Sequence, residues 1–331
     1  MCDRLRRTIV LLLAAFCLTA GCLTCAQAED DAGERVNRAF ILGMDEFVSR
    51  ESTYPSSTNN VFAMQETLQA SGMPFETIFL PDQPVTSADE LTALVRGIFA
   101  DADDNDASYF YISTHGEYDP ASGEPATLLL SDGVTEGRLT AADLENAFAG
   151  IRGTKVLIFD ACYSGEFIGK GMQSQTDTVH FLGEDFKVLC SSGAMEESWY
   201  WNTSESTEKT LIQRGPQGAF YFTQALSQSL SARNDYPADA NRDGDITLRE
   251  LYTYLLDTHA ASTPQVYPQE DDFVVFRYDT SYHLDNAQRS PVTDVTFSSS
   301  TLSAADNELT LEFIALRPVR VGYQIVYQRD G

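Results

Sequence analysis

The sequence predicts an α/β fold: a three-layer α/β/α arrangement around a mainly parallel sheet, followed by a small C-terminal all-β tail. Three observations lead there. Strand-like and helix-like apolar runs alternate from Arg38 to about Asp279, the pattern of a parallel sheet covered on both faces. After Asp279 the runs tend to alternate apolar and polar residues, as half-exposed strands do. The 331 residues, 43% hydrophobic and 21% charged, suffice for a sizeable core and exclude disordered or collagen-like chains.

The elements follow in order. Ala39 to Gly43 reads as a short buried strand closed by glycine. Thr58 to Ala70 carries Val61, Met64 and Leu68 at helical spacing and stops at Gly72. Thr77 to Leu80 is a strand ended by Pro81. Ser87 caps a helix through Phe99, with Glu90 three residues on as a capping box. Strands are expected at Ser108–Ser113, Thr127–Leu130, Lys155–Phe159, Lys187–Cys190 and Asp272–Arg277. Helices are expected at Thr140–Phe148, Ala219–Leu230 and Leu248–Thr258. In the tail, Val292–Phe297, Leu309–Ile314 and Arg320–Gln328 are strand-like; three strands cannot close a sandwich alone.

The first 28 residues are expected to be a secretory signal peptide. Arg4, Arg6 and Arg7 precede the apolar run Ile9–Phe16, and Ala26-Gln27-Ala28 offers a cleavage point before Glu29. A lipid anchor at Cys22 is a second possibility, since Thr19-Ala20-Gly21-Cys22 resembles a lipobox. No membrane span is expected in the mature chain. The organisation is thus a leader at 1–28, a main domain at 36–279 and a β tail at 285–331, in a secreted protein. Four of the six cysteines leave with the leader, so Cys162 and Cys190 remain. That is too few for a disulfide scaffold. The formal charge of -27 repels phosphate backbones and argues against nucleic-acid binding; it favours basic peptides or cations.

Chemistry in an open parallel sheet gathers at the carboxyl ends of the strands. Two ends stand out. SYFYIS runs into Thr114-His115-Gly116, and KVLIF runs into Asp160-Ala161-Cys162-Tyr163-Ser164-Gly165. A cysteine attacking a carbonyl needs a nearby proton acceptor and donor, for which histidine is suited. It also needs oxyanion donors. Gly116 would leave its backbone N–H approachable, and the N–H of Cys162 is the natural second donor. Cys190, ending an apolar strand, reads as buried and inert, while His180, His259 and His283 read as surface or packing residues. Trp199-Tyr200-Trp201 fits either a cleft wall or a packed loop.

These motifs resemble the caspase–metacaspase–clostripain–legumain group of cysteine peptidases, over roughly residues 36–279. The resemblance implies a caspase-like fold with Cys162 as nucleophile, His115 as general acid/base, and Gly116 and Cys162 as backbone oxyanion donors. Asp160, two before the cysteine, departs from caspases proper. In metacaspase- and clostripain-type relatives an acidic residue there implies a pocket for Arg, then Lys, which a carboxylate can bind bidentately. Asp45, Ser191 and Ser192 are further pocket candidates by the same resemblance. Relatives are often cut at basic residues during activation, for which Lys170, Lys209 and Arg214 are the candidates.

A second motif is independent. Asp239-Ala240-Asn241-Arg242-Asp243-Gly244-Asp245-Ile246-Thr247-Leu248-Arg249-Glu250 matches an EF-hand loop at each required place. Asp239, Asn241, Asp243, the carbonyl of Asp245, Thr247 and bidentate Glu250 would hold a structural Ca2+ ion. An acidic turn without metal is the alternative. The sequence therefore reads as a secreted cysteine endopeptidase acting on peptides or proteins after basic residues. Two alternatives share the residues: a catalytically silent, calcium-stabilised surface binding module, and a transpeptidase passing the acyl group to an amine.

Overall fold

The computed structural model describes residues 35–171, 180–200, 220–258, 261–280, 292–297 and 310–315. A six-stranded sheet forms its centre. Its strands are β1 (Asn37–Gly43), β2 (Phe75–Phe79), β3 (Ala107–Ser113), β7 (Thr154–Asp160), β8 (Phe186–Cys190) and β10 (Gln265–Tyr267). They lie in the order β10-β8-β7-β3-β1-β2. All neighbours are parallel except β10, which runs antiparallel to β8. This is the expected α/β sandwich with one short antiparallel edge. At three residues, Gln265-Val266-Tyr267 is too short for its alternation to show in the sequence.

Side chains alternate across this sheet, and each face has its own core. Phe40, Leu42, Phe110, Ile112, Leu157, Phe159 and Val188 pack on one face. They meet Leu91 and Val95 of α2 (Ala88–Ile98) and Leu144 and Phe148 of α3 (Ala141–Phe148). On the other face Ala39, Ile41, Tyr109, Tyr111, Val156, Ile158 and Leu189 pack. Their partners are Met64 and Leu68 of α1 (Ser56–Gln69), Phe222 and Leu226 of α4 (Tyr221–Ser229), and Leu251 and Leu255 of α5 (Leu248–Thr258). Burial on both faces explains why these strands read as unbroken apolar runs. Truncating a fully buried Phe110 or Phe159 to alanine would cost about 3–5 kcal/mol.

Helix starts follow their caps. The Ser87 hydroxyl accepts the Glu90 N–H, but the Glu90 carboxylate reaches back to Thr86 rather than to Ser87, so only half of the expected box forms. Thr140 and Asp143 make a complete one. Beyond the end of β3, the chain forms a small antiparallel sheet of β4 (Gly116–Glu117), β5 (Thr127–Ser131) and β6 (Glu136–Thr140). The strand expected at Asp272–Arg277 appears as β11 (Val274–Arg277). It pairs with β9 (Asp245–Thr247) outside the central sheet. Two tail runs are strands, β12 (Val292–Phe297) and β13 (Leu311–Ala315), paired antiparallel. The leader, Cys22, Trp201, Lys209, Arg214, His259, His283 and the run 320–328 lie outside the described residues. Among the described residues no helix is long and apolar enough to cross a membrane.

Candidate active site

The register of β3 and β7 sets the site. Ser113 pairs with Asp160 at the last rung, and the Thr114 N–H donates to the Asp160 carbonyl at 3.2 Å. His115 and Cys162 each stand two residues past that rung, on adjacent strand ends. Gly116 lies so close to the cysteine turn that a Cβ there would stand 1.9 Å from the Cys162 carbonyl oxygen. Only glycine admits this approach.

His115 is fixed from two sides. Its ring packs edge-on against Phe47, with centroids 4.6 Å apart. Its Nε2 lies 3.1 Å from the Glu51 carbonyl oxygen. A carbonyl only accepts, so Nε2 carries the proton and Nδ1 keeps a lone pair. Burial lowers the His115 pKa, and the Arg50 charge adds to this, against the Glu51 carbonyl, Glu117 and Glu136. The ring is therefore neutral at pH 7.

Cys162 is a half-buried free thiol. The turn that carries it is braced from β8: Ser191 Oγ accepts from the Ala161 N–H at 3.0 Å, and the Ser192 hydroxyl donates to the Ala161 carbonyl at 3.0 Å. Tyr163, next to the sulfur, takes φ 60, a costly conformation held by its N–H donating to the Glu196 carbonyl at 2.8 Å. Sγ accepts the Ser198 N–H at 3.3 Å and lies 3.6 Å from the Ser198 carbonyl. Burial pushes the thiol pKa up to about 11; the Ser198 N–H opposes this, and Glu197 and Asp160 reinforce it. His115 and Cys162 are not hydrogen-bonded to each other, and both are neutral at pH 7.

Asp160 is 0% exposed. Its Oδ2 accepts from the Thr223 N–H at 3.2 Å, the Thr223 hydroxyl at 2.7 Å and the Asn60 amide at 3.4 Å. Oδ1 accepts from the Ser198 hydroxyl at 2.9 Å. The Thr223 proton is thereby committed, so the neighbouring Tyr111 hydroxyl donates to Thr223. All of these donors are neutral. Burial raises the Asp160 pKa to about 6, against the lowering by its hydrogen bonds to Thr223, Ser198 and Ser191.

The other predicted pocket residues are placed as follows. Asp45 caps the start of α1, taking the Ser57 and Thr58 N–H groups at 2.8 Å each and the Thr53 and Thr58 hydroxyls at 2.7 Å each. It reaches Asp160 only through a buried chain of hydroxyls and amides: Thr53, Ser57, Ser113 and Asn60. Ser191 and Ser192 are fully buried and hold the cysteine turn. Lys170 anchors a backbone loop through its own N–H and carbonyl. Cys190 is buried in the core, where burial drives its pKa upward. His180 is paired with Glu145. Trp199 is 53% exposed, and Tyr200 packs on Phe220.

Sequence reading missed the Glu51 carbonyl, Asn60, Ser198 and Thr223. Asn60 did leave a signal. It shares the buried face of α1 with Met64, Thr67 and Leu68, and a buried amide on an apolar face needs a polar partner.

The 239–250 segment folds along an EF-hand-like path. Gly244 takes φ +93, Ile246 is fully buried, and α5 starts directly afterwards with Glu250 in its first turn. Most of its side-chain oxygens are engaged within the loop, and Asp239 also accepts the Tyr278 hydroxyl at 2.7 Å. Asp239 accepts the Arg242 and Gly244 N–H groups, Asn241 accepts that of Asp243, and Asp243 accepts that of Asp245. Glu250 and Thr247 form a capping box for α5. The Asp245 carboxylate is held by Arg277. Among the described residues no three His, Cys, Asp or Glu side chains gather closely enough to hold a metal. The backbone thus follows the EF-hand-like path, while the carboxylates stand apart.

A family model described as the caspase domain matches residues 36–276. In fold the chain is similar to the crystal structure of caspase-1 from Spodoptera frugiperda, at 16% identity and a TM-score of 0.43, over 71% of this chain and 89% of that one. No curated protein matches it in sequence. With the family model spanning most of the chain, and with the histidine and cysteine on neighbouring strand ends, the chain belongs to the caspase-domain family of cysteine peptidases.

Proposed function

We propose that the chain is a secreted cysteine endopeptidase that cleaves peptides or proteins after Arg, and secondarily Lys. The observation that supports this is the shared strand end: β3 and β7 finish on one rung, two residues before His115 and Cys162, with Gly116 against the cysteine turn. In this reading the thiol gives its proton to His115 Nδ1 as sulfur attacks the scissile carbonyl. The oxyanion forms against the Gly116 and Cys162 N–H groups. The imidazolium then protonates the leaving amine, and water hydrolyses the thioester, returning the proton to sulfur. The Glu51 carbonyl holds the ring in the required tautomer.

Basic specificity rests on Asp160, the carboxylate nearest to the cysteine in sequence, and on the strongly negative chain. Asp45 would support that pocket from the α1 cap, and Ser191 and Ser192 by bracing the cysteine turn behind it. Calcium at 239–250 is part of the proposal. Asp239, Asn241, Asp243, Thr247, Glu250 and the Asp245 carbonyl would hold it once Glu250 leaves its capping box, and the ion would clip β9 to α5. Export is inferred from the leader sequence alone.

The test is hydrolysis of fluorogenic peptides ending in Arg, Lys, Asp or Leu before the reporter. The wild type should release the Arg reporter fastest. Cys162→Ala should lose at least about a thousandfold in kcat with an unchanged melting curve. A Cys162→Ala variant that still cleaves the Arg reporter refutes the assignment.

A further inference from the structure

Residues 194–200 are a strip that runs past the half-buried cysteine, which its Ser198 contacts directly. Met195, Glu197 and Trp199 are exposed on its outer side, while Ser198 is 6% exposed and points inward. The strip is pinned at both ends. The Glu196 carboxylate takes the Gly193 and Thr263 N–H groups at 2.9 and 3.0 Å, and the Trp199 carbonyl takes the Tyr221 N–H at 3.1 Å. Between these pins Ser198 touches both groups the proposed chemistry needs free. Its backbone brackets Cys162 Sγ, with N at 3.3 Å and O at 3.6 Å, and its hydroxyl donates to Asp160 Oδ1 at 2.9 Å.

We propose that Ser198 is a latch that keeps the site closed, and that a guanidinium or ammonium side chain opens it by displacing the serine hydroxyl from Asp160. This rests on the reading of Asp160 as the recognition carboxylate. The other oxygen of Asp160 is already filled by Thr223 and Asn60, so an arriving cation must take the position held by Ser198. A guanidinium binds a carboxylate more strongly than a neutral hydroxyl does. Once the hydroxyl is released, the direct hydrogen bonds left to Ser198 are those between its backbone and the sulfur, within the short span between the Glu196 and Trp199 pins. Recognition and uncovering of the nucleophile then become one event, and side chains lacking a cation leave the thiol covered.

The latch predicts the opposite of ordinary active-site protection. Alkylation of Cys162 in the full chain by iodoacetamide, mapped by mass spectrometry, should accelerate about tenfold when saturating agmatine supplies the guanidinium. Ser198→Ala and Ser198→Gly should each be alkylated about tenfold faster than wild type without agmatine, and agmatine should add nothing further. Cys190, buried in the core, serves as the slow internal reference. Agmatine that slows or leaves unchanged the wild-type alkylation overturns the latch, and so do folded Ser198 variants that react at the wild-type rate. If the variants fail to fold, the wild-type response to agmatine decides alone. Cleavage of the Arg reporter with alkylation indifferent to agmatine sinks the latch and spares the proposed activity. Agmatine-accelerated alkylation without reporter cleavage does the reverse.

Discussion

The two motif-bearing regions are built in opposite ways. The strand-end site gathers groups from remote segments: Glu51 from the loop after β1, Asn60 from α1, His115 and Gly116 after β3, Asp160 and Cys162 at the end of β7, Ser198 after β8, and Thr223 from α4. The 239–250 turn is knitted by hydrogen bonds between residues two to five positions apart. The first holds a single buried carboxylate among neutral donors; the second holds carboxylates from buried Asp239 to exposed Asp243 among its own backbone N–H groups, Tyr278 and Arg277. A site made by topology is vulnerable to anything that separates its strand ends. A site made by local turns is vulnerable mainly to its own residues and to the two that brace it from β11 onward, Arg277 and Tyr278.

Gly116→Ala is the sharpest way to break the first kind. The new methyl would meet backbone, not a side chain that could rotate away, so the two strand ends must part. We expect kcat toward the Arg reporter to fall at least about a hundredfold, because the proposed oxyanion donors would move with the turn. Stability should drop by about 1–3 kcal/mol in urea unfolding. Full activity in this variant would mean that the close approach plays no part in catalysis.

Asp160→Asn separates the proposed recognition of basic side chains from stability. Asp160 titrates at about 6, above the ordinary carboxylate value of 3.8. A raised value means that the folded state holds the proton more tightly than the unfolded chain. Its stabilising effect is complete below about pH 4, is lost as pH rises toward 6, and stays lost above that. The variant, which carries no charge to bury, should therefore gain about 3 kcal/mol over wild type at pH 8, with the gap closing toward pH 4. The same variant should lose its preference for Arg. Urea unfolding at pH 4 and pH 8, with reporter kinetics at pH 8, checks both. A variant less stable than wild type at pH 8 would show that the carboxylate is compensated after all.

What the sequence made legible follows the same division. Strands buried on both faces announced themselves as apolar runs, and β3 and β7 ended in the polar motifs that mark the candidate centre. The EF-hand pattern was complete because its positions are consecutive. The walls of the strand-end site were not legible. Asn60, Ser198 and Thr223 meet at Asp160 across separations of 38 to 100 residues, and no local pattern records such a meeting. Short edges were missed for a related reason: β6 and β10 gain their strand character from the neighbours they pair with.

Calcium gives the smallest effect and tests the local region by itself. The loop carboxylates are already engaged by backbone N–H groups and by the α5 capping box, so an ion must replace those bonds rather than fill a void. At a hundredfold excess over Kd the expected gain is about 2.7 kcal/mol, seen as a higher Tm. Asp239→Ala/Glu250→Ala should abolish that gain. Without calcium the double variant should still be less stable than wild type, by about 1–2 kcal/mol, because it loses the turn bonds and the helix cap. Such a loss without calcium, joined to a calcium response in wild type alone, would establish that the same side chains serve as turn anchors without the ion and as ligands with it. An unchanged melting curve in excess calcium would leave them as turn anchors alone.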